Sequence, residues 1–145
     1  MSSKSKVCFF FQDTKIQLAN RTLLKNFISK VFNKEGKKLG LLNIIFCTDS
    51  AILDINRTYL NHDFYTDIIT FDLSESNAIQ AEIYISVERV KENAQNLGIS
   101  FKSEIHRIIF HGILHLCGYD DKTNKEKEKM RKNEDYLLNN YKLSQ

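Results

Sequence analysis

The chain has 145 residues, 42% hydrophobic and 27% charged, with a formal net charge of +3. That length suffices for one domain, 1–145, with its own core, and the composition excludes a disordered tract; the mild positive charge permits a polyanionic partner without demanding one. Three scattered cysteines, Cys8, Cys47 and Cys117, exclude a disulfide framework and so predict no disulfide partner; the absence of an export-length or membrane-length apolar run predicts a cytoplasmic chain with no membrane partner.

Residues 7–11 read as a first strand. Asn20 is placed to cap a helix whose apolar face carries Leu23, Leu24, Phe27, Ile28, Val31 and Phe32, with Gly36 to end it. The run "LLNIIFC" at 41–47 is nearly continuous apolar and β-branched, the pattern of a strand buried on both faces. A short helix over 50–59 is expected to turn Ile52, Ile55 and Tyr59 inward. "TDIITF" at 66–71 and "AEIYIS" at 81–86 read as strands joined by a polar connection. Ser86 caps a helix over 87–97 closed by Gly98, and Ser100 caps the next. A charged last helix over 124–140 shows Met130, Leu137, Leu138 and Tyr141 on one side. Strands interleaved with helices, then helices alone, predict an α+β fold: about four strands in one mixed sheet packed with helices.

The stretch "HGILHLCGYDD", 111–121, carries the chemistry. Four residues along a helix advance about 400°, so His111 and His115 project from one face a turn apart. Gly118 lets the chain leave the helix and double back, which can bring Asp121 to a third corner. Two imidazoles and a carboxylate leave the fourth position of a tetrahedral zinc open, as in a catalytic site. Cys117 lies about 200° round the helix from His115 and is expected in the core, while His62 and His106 read as a loop and a flank histidine. A pair of histidines at this spacing is also common in a helix that binds nothing. The spacing of His111, His115, Gly118 and Asp121 equals that of metzincin peptidases, but those carry a glutamate general base where this chain has Gly112.

The same stretch resembles the signature of the YbeY family of bacterial metal-dependent endoribonucleases, HGxLHLxGYDH, differing at the last position, where Asp121 stands for histidine. Glu104, "TDIITF" and "AEIYIS" fit the family's preceding helix and strands, so the resemblance runs over about 50–138. It implies one zinc-like ion on His111, His115 and Asp121, single-stranded RNA as substrate, a role in ribosomal RNA maturation and ribosome quality control, and the small ribosomal subunit or its associated factors as partners. The anionic Asp121 predicts a less acidic site water than three imidazoles give, and tolerance of harder ions such as manganese. Upstream, "NRTYLNHDFYTD" has Leu60 where the family carries arginine and Tyr65 where it carries proline. Arg57, one turn before Leu60, is the nearest substitute. The vacancy leaves open a non-cleaving, metal-stabilised ribosome-binding factor.

Asp67, Glu82 and Glu104 are the carboxylates available as general base or as support for an imidazole. Each also has a bland role: capping a turn, facing water on an edge, or sitting in a helix's first turn. For an RNA path, "KTNKEKEKMRK" at 122–132 holds six basic residues against two glutamates, with Lys122 and Lys125 nearest the metal turn, and "KVFNKEGKK" at 30–38 adds four lysines. Phe64, Tyr65 and Tyr119 are aromatic side chains available to stack on bases.

Overall fold

A computed structural model describes residues 6–63 and 65–145. Four strands, β1 (Lys6–Phe11), β2 (Lys38–Cys47), β3 (Ile68–Asp72) and β4 (Ala78–Ser86), form one mixed sheet in the order β1-β2-β4-β3. β1 and β4 both run parallel to β2, and β3 closes the far edge antiparallel to β4. Among the described residues there are five helices: α1 (Arg21–Lys34), α2 (Asp49–Tyr59), α3 (Val87–Leu97), α4 (Phe101–Leu116) and α5 (Asn124–Ser144). The α+β architecture is the one the alternating pattern predicts.

The main core lies between one sheet face and the helices α1, α3, α4 and α5. Leu42, Ile44 and Phe46 of β2 and Ile83 and Ile85 of β4 meet Leu24, Ile28, Ile109 and Phe110 there, all fully buried. α2 alone packs on the opposite face, around Cys47, Ile52 and Ile69. β2 is therefore not buried evenly on both faces: Leu41, Asn43 and Ile45 stay partly exposed because a single short helix cannot cover their side. Tyr59 is likewise 72% exposed rather than inward, since it ends α2 and meets Phe71 of the sheet edge-to-face.

The serine caps hold: Ser86 Oγ accepts from the Arg89 amide and Ser100 Oγ from the Ser103 amide. Asn20 precedes α1 but makes no side-chain cap, because it sits in the left-handed region at φ 56°. Thr48 caps α2, its Oγ1 accepting from the Ala51 amide. Among the described residues no helix is long and apolar enough to cross a membrane. Cys8, Cys47 and Cys117 are all free thiols.

Candidate metal centre

α4 is apolar on most of its circumference and runs across the sheet, so its polar side chains are few and placed. Gly112 lies against the sheet: a Cβ there would be 2.9 Å from Ile83 Cδ1 and 3.0 Å from Ile68 Cδ1. A side chain in that position would meet the ends of Ile83 and Ile68. After Leu116 the helix ends in a Schellman turn, with Tyr119 N–H donating to Leu114 O and Gly118 N–H to His115 O, Gly118 taking φ 101°. Thr123 and Glu126 then cap each other's amides and start α5. The loop between these fixed ends is short, and it returns Asp121 to the histidine face of α4.

Asp121 Oδ2 lies 3.3 Å from His111 Nε2 and 3.3 Å from His115 Nε2, and the two nitrogens are 3.1 Å apart. A tetrahedron with arms of roughly 2.0–2.1 Å, the zinc–nitrogen and zinc–oxygen lengths, has edges of about 3.3–3.4 Å. The donor triangle thus has the size of one face of such a site. Two imidazole lone pairs and a carboxylate oxygen this close repel one another unless a proton or a cation lies among them, so the donor chemistry fits a divalent ion. The three residues form the metal-competent group among the described residues. Cys117 is turned into the core, and burial pushes its thiol up to about 12.

Glu134, on α5, is the residue that sequence reading missed. It is buried, and its Oε2 accepts the His111 Nδ1 proton at 2.6 Å, which leaves Nε2 as the free lone pair facing Asp121. Burial disfavours a His111 cation, but the Glu134 hydrogen bond and the charges of Glu134, Asp121 and Asp67 outweigh it and raise the pKa. Arg107 sits behind this pair, reaching Glu134 at 3.2 Å and Glu104 at 3.3 Å. Glu104 is almost wholly buried, and loss of water raises its pKa despite Arg107. The available signal was a carboxylate inside the apolar stripe of α5, four residues after Met130 and three before Leu137.

The triad borders two clefts. One, of about 750 Å³, runs between α4, α5 and the end of α3 and includes Asp67, Glu104, His111, Asp121 and Glu134 in its wall. The other, of about 480 Å³, lies over the β3 edge, walled by Thr66, Ile68, Thr70 and Asp72 with His111, His115 and Asp121. Asp67 belongs to both, its Oδ2 held by Asn93 at 3.0 Å. The structure therefore brings Asp67 and Glu104 to the triad. Glu82 lies on the α2 face of the sheet, bonded by Tyr84 at 3.0 Å and outside both clefts, because its β4 neighbours Ile83 and Ile85 take the α4 face.

The sequence profile of the Endoribonuclease YbeY family matches residues 9–142. The chain belongs to the Endoribonuclease YbeY family. An Endoribonuclease YbeY of Cytophaga hutchinsonii is 48% identical over 93% of this chain and 96% of that protein. One of Parabacteroides distasonis is 42% identical over 91% and 93%. The solution structure of a Thermotoga maritima protein superposes with a TM-score of 0.61 at 25% identity, covering 96% of this chain and 93% of that one.

Against the YbeY pattern, Leu60 is exposed at the end of α2 and outside both clefts. Arg57 pairs with Asp63 on the surface, and Lys122 and Lys125 are exposed but wall neither cleft. The Tyr65 ring lies under the Arg89 guanidinium at 4.8 Å, and Tyr119 carries the Lys129 ammonium at 5.5 Å. Phe64 lies outside the described residues. His106 is not a flank residue but a core one, packed on Phe110 and Tyr141.

Proposed function

We propose that this YbeY chain, as one domain over 1–145, is a single-strand-specific endoribonuclease. It acts in the cytoplasm on ribosomal RNA during maturation and quality control, and meets the small ribosomal subunit or its associated factors there. The convergence of His111, His115 and Asp121 at 3.1–3.3 Å carries this reading. Those three side chains hold one ion of the zinc class, which supplies Lewis-acid activation of water and of a phosphodiester oxygen.

The chain's own residues then have separate tasks. Glu134 fixes the His111 tautomer, and Arg107 holds Glu134 and Glu104 in place. Asp67 faces both clefts and is oriented by Asn93, so it is the carboxylate best situated to take the proton of the attacking water. Glu104 supports Arg107 from within the core. Arg57, Lys122 and Lys125 lie beyond the clefts, where they serve as outer electrostatic contacts to the RNA backbone. Gly112 supports a nuclease over a peptidase, since it supplies no carboxylate where the metzincin base stands.

Incubation of single-stranded RNA with the protein, with chelator and with His115→Ala tests the proposal. Cleavage by the parent alone is expected. Cleavage that survives both chelator and substitution would contradict it.

A further inference from the structure

The larger of the two clefts beside the triad carries positive charge in its wall. Its wall contains two cations, Lys127 and Arg131, four residues apart on α5 and so about 6 Å apart along the helix axis. The smaller cleft has none. The chain has five arginines. Arg57 pairs with Asp63, Arg89 with Asp49 and Arg107 with Glu104 and Glu134, while Arg21 bonds Leu18 O and covers Phe11. Among the described residues Arg131 makes no ion pair or side-chain hydrogen bond, and neither does Lys127. Of the wall's carboxylates, Glu134 and Glu104 pair with Arg107, Asp121 joins the triad and Asp67 bonds Asn93; Arg131 acts on Glu104 through its charge, without an ion pair to it.

We infer that Lys127 and Arg131 form the phosphate clamp of this chain, seating the backbone of the single strand on the α5 side of the triad. The neutral hydroxyls of Thr66 and Thr70 are left for the sugar and base side. Guanidinium and ammonium both suit this task, Arg131 through its fork and Lys127 as a point charge. The inference rests on the nuclease reading for its substrate, and it assigns the cations of that same site.

Two measurements on the metal-loaded protein separate the two. The first is cleavage kinetics of a single-stranded oligoribonucleotide by the parent, Lys127→Gln/Arg131→Gln, Arg131→Lys and, as a charge-loss control, Lys142→Gln. The second is the salt dependence of binding of the same RNA. The double variant should raise KM about ten-fold with kcat much less affected, and lower the log–log salt slope by about 1.4, two contacts at roughly 0.7 each. The loss should be equal across sequences, Arg131→Lys should recover part of it, and Lys142→Gln should behave as the parent. A double variant with parental KM and slope overturns the clamp while leaving the nuclease reading intact. If the parent cleaves no RNA, that reading falls, and the salt slope alone still decides whether these two side chains hold phosphate.

Discussion

The bond from His111 Nδ1 to Glu134 is where a single side chain controls the site most directly. Glu134→Gln keeps the size but removes the charge, and should weaken zinc affinity about 10-fold to 100-fold in a competition titration. An unchanged affinity would reduce Glu134 to a packing residue. Asp121→His exchanges an anionic donor for a neutral one, raising the positive charge of the site. The acidic limb of the pH–rate profile should move to lower pH, and an unmoved limb would count against Asp121 as a donor. The histidine pair was legible from spacing alone, because four residues fix one face of a helix. Glu134 was not, because it stands twenty-three positions from His111 and among other charges. Only the packing of α5 on α4 distinguishes it from its exposed neighbours.

Elements matter here through their ends. The Schellman turn after α4 and the capping box before α5 clamp the loop that presents Asp121. Thr123→Ala should cost about 1 kcal/mol in urea unfolding and loosen zinc binding as well. Stability loss without loss of affinity would mean that Asp121 is held by other contacts. Gly112→Glu should not create a peptidase: it forces a carboxylate against Ile83 and Ile68 and should unfold the protein or lower its thermal midpoint sharply. The serine caps and Gly98 could be read because their signal is local. Tyr59 and the second face of β2 could not, since whether an apolar residue is covered depends on what the rest of the chain lays over it.

At the scale of the whole molecule, the mixed sheet was foreseeable from the alternation of elements, but the order β1-β2-β4-β3 was not, because pairing between distant strands leaves no local trace. The core also contains a titratable group. Burial lowers the pKa of His106 to about 4, and its Nε2 has no hydrogen-bond partner among the described residues. As pH falls below the unfolded value of about 6.5 the unfolded chain takes up this proton first, so stability drains away between about pH 6.5 and 4, by up to roughly 3 kcal/mol. Unfolding of chelator-treated protein at several pH values should show a steeper loss of stability toward acid in the parent than in His106→Leu.

X-ray absorption at the zinc edge, on protein loaded with one equivalent, tests the convergence of the three donors. The expected spectrum has two imidazoles and oxygen donors at roughly 2.0–2.2 Å, with the signal lost in His111→Ala. A sulfur shell at about 2.3 Å, or zinc retained unchanged by His111→Ala, would contradict the site described for this chain.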